Sequence, residues 1–391
     1  MDFTLSEEQQ MLRDLVARFV RDNLIPLEPA VLAREAEGED KAIPAADRER
    51  IDARARELGL YALESPEEFG GSNLDTVTMV GVFEELGRTC IDYYFPPDSP
   101  NLHMLLQTCN EEQRAKYLEP YARGDKISAI AISEPNGGGD PAAMITRAEP
   151  DGNGWRINGR KIWISRAPEA DFTILMAVTD PGKGARGGIS AFLVDRDTPG
   201  YEVARKIPMI GGRVTYEIAI DDLRLPGSAL LGELGNGFGP MQLRLSRRRV
   251  EMAARCIGTT RRALDEMKAW VKERKTFGDL LANRQAIQWW IADAEMELHA
   301  LRLMVYNTAA KIDGGAQART ECSMVKLKGT ELAWDTLDKA MQAYGAMGMT
   351  KELPLQMMAN QIRVQRIYEG PSEVHRMLIA RHALQDRIVG L

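Results

Sequence analysis

The sequence predicts an α+β chain with an N-terminal helical domain, a middle β-sandwich or barrel domain and a C-terminal helical bundle, over residues 1–126, 127–232 and 233–391. Three observations predict it. Apolar residues recur at helical spacing through the first third. Near Lys126 the period shortens to two. From Gly237 the helical period returns and persists to the end.

Each element has a local reason. Ser6-Glu7-Glu8-Gln9 has the form of a capping box, and Met11, Leu12, Leu15, Val16, Phe19 and Val20 share the helix face behind it until Pro26. Pro44 opens a second helix that passes Ile51 and Leu58 and stops at Gly59. Asp75 is placed to cap a third, carrying Val77, Val80, Val82 and Phe83. Asn110-Glu111-Glu112-Gln113 repeats the capping box ahead of Tyr117 and Leu118, and Phe95 to Pro100 reads as a rigid connection. In the middle third, Ile127 to Ser133 alternates as a short strand that ends at Pro135. Trp155 to Ile157, Asn158-Gly159 and Lys161 to Ser165 read as a hairpin turning at Asn-Gly. Further strands are expected over 172–178, 189–194, 201–203 and 214–223. In the last third, long helices are expected from Met241 to Arg274, Gln285 to Ile312 and Glu321 to Tyr344, with two shorter ones flanking Glu369. Helices of that length suggest a bundle whose faces are shared with other subunits.

Composition narrows the function. The 391 residues are 44% apolar and 27% charged with a net charge of −7, which disfavours a nucleic-acid partner. Cys90, Cys109, Cys256 and Cys322 are far apart and lack C-x-x-C spacing, which points to a reducing compartment. No secretory or transit pattern opens the chain and no apolar run is long enough to span a bilayer, so a cytoplasmic protein is expected. His103, His299, His375 and His382 have no ligand spacing, no metal site is expected, and no Gly-x-Ser-x-Gly elbow is present.

Several stretches carry two readings. Gly232 to Gly239 joins the β region to a helix outside any βαβ unit and reads as a flexible connection before it reads as a phosphate cradle. Glu134 to Asp140 follows a strand and carries Gly137, Gly138 and Gly139; it is equally a binding loop or a wide turn. Trp163 reads first as core, Ser165 as a cross-strand hydrogen bond, and Arg247-Arg248-Arg249 as a solvated helix face. Pro371 places Glu369 on a tight connection between helices. Locally, Glu369 reads first as the ion-pair partner of Arg363, Arg366 or Arg376.

Taken in order, Ile132-Ser-Glu-Pro-Asn-Gly-Gly-Gly-Asp140, Asn158-Gly-Arg-Lys-Ile-Trp-Ile-Ser165, Glu273-Arg-Lys-Thr-Phe-Gly278 and Ile367-Tyr-Glu-Gly370 resemble the acyl-CoA dehydrogenase family across essentially the whole chain. The resemblance implies an FAD-dependent oxidoreductase. It would take an acyl-CoA thioester to the trans-2-enoyl-CoA, with Glu369 as the α-proton base and the hydride passing to flavin N5. It implies flavin contacts at Ile132, Ser133, Gly138, Gly139, Trp163 and Ser165. Arg274, Thr276, Phe277, Gln285, Gln342 and Gly345 match residues that reach the FAD of a neighbouring subunit, which implies a homodimer or homotetramer. Arg249, Tyr368 and Gly370 match substrate-side positions, and an electron-transfer flavoprotein is the implied electron acceptor. A same-fold oxidase or monooxygenase, or a non-catalytic member, are the alternatives.

Three departures from the family pattern matter. Gly139 stands where a serine is usual, and Pro371 where a threonine is usual, as in branches with less common substrates. Arg248 matches the position where some members carry their base on the long helix, and a guanidinium cannot serve as one. A desolvated Glu369 would be expected to have a raised pKa.

Overall fold

The first helix starts where its cap dictates. The Ser6 hydroxyl accepts from the Gln9 N–H at 3.2 Å while Gln9 accepts from the Ser6 N–H at 3.0 Å, which fixes α1 (Glu7–Phe19). This is a computed structural model, and it describes residues 4–39, 42–98 and 100–388. The reading of residues 1–3 and of Ser99 in the Pro-rich connection lies outside the described residues. Helices α2 (Glu28–Ala36), α3 (Ala45–Glu57) and α4 (Thr76–Leu86) follow, then α5 (Pro100–Thr108), α6 (Glu111–Gln113) and α7 (Glu119–Ala122). Asp75 caps α4 through the Thr78 N–H at 2.7 Å, and the Asn110 box opens α6. No helix among the described residues is long and apolar enough to cross a membrane.

The middle region is an eight-stranded sheet: β1 (Ser128–Ala131), β2 (Arg147–Asp151), β3 (Gly154–Ile164), β4 (Phe172–Val178), β5 (Ile189–Asp195), β6 (Tyr201–Pro208), β7 (Val214–Pro226) and β8 (Leu230–Leu231). The order is β6-β7-β3-β2-β4-β5-β8, with β1 lying parallel on β4. Ile157, Ile218 and Ile220 from β3 and β7 share one core with Phe192 and Val194 from β5, so the sheet folds over itself as a sandwich does. The opposite face of β4 and β5, through Ile174, Met176, Ala191 and Leu193, packs on Leu102, Leu105, Tyr117 and Tyr121 of the N-terminal helices.

The Asn158-Gly159 hairpin is corrected. Residues 154–164 form one continuous strand against β7, and Asn158-Gly159 marks a bulge in it. The bulge is held by the Asn158 side chain, which accepts from the Asp222 N–H at 2.9 Å. A side chain at Gly159 would lie 2.4 Å from the Thr146 hydroxyl, so glycine serves close approach there and not reversal. The chain reverses one turn earlier, where Asp151 pairs with Gly154 and Gly152 takes φ 58°. The connection over 232–239 is likewise packed rather than flexible. The Gly237 N–H donates to Ile189 O at 2.8 Å, and a Cβ on Gly237 would be 2.7 Å from the Ala191 nitrogen.

The C-terminal part holds α8 (Phe238–Glu273), a small ribbon of β9 (Lys275–Thr276) and β10 (Asp279–Leu280), α9 (Gln285–Asp313), α10 (Arg319–Tyr344), α11 (Pro354–Gln365) and α12 (Ser372–Ala383). Its helices and the N-terminal ones share a single apolar core that includes Val16, Phe19, Val80, Ile257, Leu264, Leu298 and Leu337. Asp313, the last residue of α9, accepts from the Thr76 and Val77 N–H groups at 2.9 Å each and so closes the N-terminus of α4. Helices α4 and α8 touch backbone to backbone: a Cβ at Gly258 would lie 1.9 Å from Glu84 O, and one at Gly87 2.1 Å from Arg255 O. Gly258→Val is expected to force these helices apart and to destabilise the fold by about 1–3 kcal/mol or more, read as a lower midpoint in chemical denaturation.

Candidate active site

Helix α11 ends at Gln365 and Pro371 precedes α12, so residues 366–371 must turn in between. The turn is closed by the Ser372 N–H donating to Arg366 O at 3.1 Å. Within it, Glu369 adopts φ 55°, a left-handed conformation that costs a side-chain-bearing residue energy and persists only where its surroundings impose it. Gly370, at φ 99°, has no room for a side chain, since a Cβ would lie 2.9 Å from His375 Nε2.

The surroundings are cationic. Arg249 Nε donates to Glu369 O at 3.0 Å and Lys326 Nζ to Gly370 O at 2.6 Å, so two buried cations hold the two turn carbonyls. The carboxylate itself is 12% exposed and accepts from Arg244 Nη1 at 2.6 Å. The Asn101 side chain fixes Arg244 by accepting from its Nε at 3.1 Å. The expected ion pair with Arg363, Arg366 or Arg376 is therefore corrected: Arg376 instead pairs with Glu331 at 2.6 Å, and the partner of Glu369 comes from α8. The solvated face at 247–249 is corrected too. Arg249 is buried, Arg248 pairs with Glu251 and donates to Tyr94 Oη at 2.9 Å, and Arg247 donates to the Thr76 hydroxyl. Tyr368 is packed under Arg213, whose guanidinium lies 5.5 Å from the ring centroid and pairs with Asp92 at 3.1 Å.

This environment reverses the expected titration of Glu369. Burial acts to raise its carboxyl, but Arg244 first, then Arg248 and Arg249, outweigh it and hold it below the usual carboxylate range. Burial pushes Lys326 down to about 8, with Arg249 adding to the effect and Glu369 opposing it. Burial likewise pushes the Tyr368 phenol up to about 12 against the pull of Arg213.

The other site residues fall into two groups. Ile132 and Ser133 follow β1; Ser133 O accepts from the Ile162 N–H at 2.9 Å and Ile132 O from Lys161 Nζ at 3.1 Å. Trp163 is half exposed with φ 64°, turned outward at a second bulge of β3, and Ser165 stands exposed just past the strand. Gly139, in the loop after Glu134, faces the end of the Glu369 turn: a Cβ there would touch Val374 at 3.5 Å and Pro371 at 3.9 Å, while Gly138 faces open space. The second group collects at the far end of α8. Arg274 lies over Trp270, which stacks on Tyr344 at 4.7 Å; Thr276 and Phe277 sit in the ribbon; Gln285 opens α9; Gln342 and Gly345 close α10. Phe277 is fully exposed, and Arg274, Gln285, Gln342 and Gly345 are also exposed. Arg249 and Arg274 are 25 residues apart on one helix, about 38 Å along its axis. Within one chain the second group therefore stands far along α8 from the Glu369 turn that Arg249 holds.

Sequence reasoning missed Arg244, Lys326, Asn101, Arg213 and the Lys161–Glu134 pair. Arg244 precedes Arg248 by one helical turn, so the period could have found it. The Lys161–Glu134 pair is buried at 2.8 Å, and Glu134 also accepts from the N–H groups of Ile145 and Thr146 at 2.6 and 2.9 Å. It pins 132–134 to β3 two residues before Trp163. Burial pushes Lys161 down to about 8 with Glu134 opposing.

The residues around Trp163 fit a flavin. An outward-turned indole, two neighbouring serines and a glycine loop without side chains leave a flat ring and a pyrophosphate room to approach.

The chain matches family models described as acyl-CoA dehydrogenase N-terminal domain over 6–125, middle domain over 129–223 and C-terminal domain over 235–384. It is 38% identical over 396 residues to the (R)-benzylsuccinyl-CoA dehydrogenase of Thauera aromatica, spanning 99% of this chain and 98% of the relative. It is 36% identical over 380 residues to the caffeyl-CoA reductase-Etf complex subunit CarC of Acetobacterium woodii, spanning 96% and 98%. Among solved structures, a glutaryl-coenzyme A dehydrogenase in complex with glutaryl-CoA matches with a TM-score of 0.86 at 28% identity, covering 98% of this chain and 97% of that one.

Two predictions follow from this geometry. Lys161→Met leaves the Glu134 carboxylate buried without its cation and is expected to cost about 3–5 kcal/mol in urea unfolding, with flavin content falling alongside. His375 is buried, and burial, then Arg249 and Lys326, push its imidazole down to about 3. Unfolded, it titrates near pH 6.5, so between these values the unfolded chain binds more protons and stability falls as pH drops through the window. Urea unfolding at pH 7, 5.5 and 4.5 should show a steeper acid loss in wild type than in His375→Gln, by up to about 1.4 kcal/mol per pH unit.

Proposed function

We propose that this chain, which belongs to the acyl-CoA dehydrogenase family, oxidises the α,β carbon–carbon bond of an acyl-CoA thioester with Glu369 as its base. FAD is its cofactor and, when bound, would supply the acceptor for the hydride leaving the β-carbon. The single observation that carries the reading is Glu369: a carboxylate held in a left-handed turn, almost out of water, with Pro371 and Val374 just after it lying against Gly139 of the glycine loop.

Ile132, Ser133, Gly138, Gly139, Trp163 and Ser165 would hold the flavin from the β domain. The separation of the second group by most of α8 supports its serving a partner's flavin in a dimer or tetramer, from Arg274, Thr276, Phe277, Gln285, Gln342 and Gly345. The α-proton passes to the Glu369 carboxylate. Developing charge on the thioester oxygen needs a donor, and the Glu369 N–H is placed on the same turn to provide one. Tyr368 and Gly370 shape the wall on either side, and Arg249 keeps the turn carbonyl engaged so that the carboxylate stays aimed. The product is the trans-2-enoyl-CoA. The likeness to a subunit of an Etf complex supports an electron-transfer flavoprotein as the acceptor.

Two relatives are named for thioesters of diacids, benzylsuccinyl-CoA and glutaryl-CoA, whereas another is named a short-chain specific acyl-CoA dehydrogenase. The names leave the acyl group open, and the residues around Glu369 must choose it.

Glu369→Gln should retain yellow flavin but lose anaerobic bleaching by acyl-CoA by about 10²–10⁴-fold, monitored by absorbance. Wild type, once bleached, should reoxidise faster with an electron-transfer flavoprotein than with air. Normal turnover by the glutamine variant would remove Glu369 from the role of base.

A further inference from the structure

The cations around Glu369 are not equivalent. Arg249 is committed to Glu369 O and Lys326 to Gly370 O, both carbonyls of the turn. Arg248 has Glu251, which it shares with Arg255, and Tyr94. Arg213 has Asp92. Arg244 is different. Among the described residues, its only acidic partner is the Glu369 carboxylate, the group that must take a proton from substrate. Its other bond goes to Asn101, which is itself anchored by donating to the Ser128 hydroxyl at 2.8 Å. The relay from Ser128 through Asn101 fixes the guanidinium with Nη1 directed at the space beside Glu369.

This arrangement sets a condition on the substrate. A carboxylate gripped by a guanidinium at 2.6 Å is a poor base, so the pair must loosen for catalysis. Arg244 is 9% exposed, and stripping a buried cation of its counter-charge is strongly unfavourable. A neutral fatty acyl chain offers nothing in exchange. An acyl group that carries its own carboxylate does, because it can take the fork of Arg244 and leave Glu369 free in a desolvated pocket, where burial then favours its protonated form.

We propose that Arg244 is the specificity-determining residue of the site and binds a carboxylate borne by the acyl group, which displaces Glu369 from it on substrate binding. Because Nη1 stands within hydrogen-bonding distance of the base, the substrate carboxylate must lie only a few bonds from the α-carbon. The substrate class is therefore the CoA thioester of a short diacid, succinyl- or glutaryl-like, with or without a further substituent. This rests on the reading of Glu369 as the base.

The test is binding, which needs no turnover. Glutaryl-CoA and pentanoyl-CoA, alike in length, are titrated calorimetrically into the FAD-loaded wild type, Glu369→Gln, Arg244→Met and Arg244→Lys. Wild type should bind glutaryl-CoA more tightly by on the order of 10–100-fold. The ratio should rise in Glu369→Gln, where Arg244 has lost its competing carboxylate. It should fall to about one in Arg244→Met and survive in part in Arg244→Lys. A wild-type ratio of one or less, or a ratio unchanged in a flavin-replete Arg244→Met, overturns the proposal; the wild-type ratio decides even if a variant does not fold. Normal bleaching of Glu369→Gln with the glutaryl-CoA preference intact would sink the base assignment and leave Arg244 as a carboxylate site.

Discussion

A single buried carboxylate ringed by cations organises this protein. Glu369 would be expelled or protonated in an apolar pocket, and it would be solvated and ineffective on an open surface. It stays charged and almost dry because Arg244, Arg248 and Arg249 reach it from one helix. That helix must be held rigidly, since the buried guanidiniums of Arg244 and Arg249 and the partly buried one of Arg248 must each meet a fixed acceptor. The backbone contacts of Gly87 and Gly258 and the shared core of the two helical regions supply that rigidity. Chain order separates three parts, but packing makes the first and third one body.

The β region supplies the opposing wall. Its two bulges have different tasks: one lets Thr146 pack against Gly159, and the other turns Trp163 outward. The buried Lys161–Glu134 pair lies beneath that second bulge and ties the end of β1 to it. An apolar pair would fill the same space with less desolvation, but it would leave the N–H groups of Ile145 and Thr146 without an acceptor. The pair is thus a device for holding a wide loop in one shape next to the Glu369 turn.

If Glu369 is the base, as we propose, its pairing with Arg244 couples recognition to reactivity. In the proposed scheme, the same guanidinium that holds the Glu369 carboxylate becomes the receptor when a suitable acyl group arrives. The energetic difference between substrates then lies in what replaces Glu369 on Arg244 rather than in the fit of an apolar tail.

Much of this was legible in sequence because it is local. Capping boxes at Ser6 and Asn110, the Asp75 cap, the change of period near Lys126 and the break at Pro371 are each written within a few residues, and the structure follows them. The ordered succession of short motifs placed Glu369 in a family before any contact was known. What failed was non-local. Asn158-Gly159 has the residues of a turn, yet pairing with β7 carries the strand straight through it. Arg247 to Arg249 look like a wet face until α4, the Glu369 turn and Tyr94 close over them. The sequence by itself determined that a carboxylate would stand on a tight turn between two helices, because proline and glycine punctuation is a property of adjacent residues. Which cation would hold that carboxylate was left to packing, because Arg244 and Glu369 are 125 positions apart and meet only where α8, Asn101 and the turn before α12 come together.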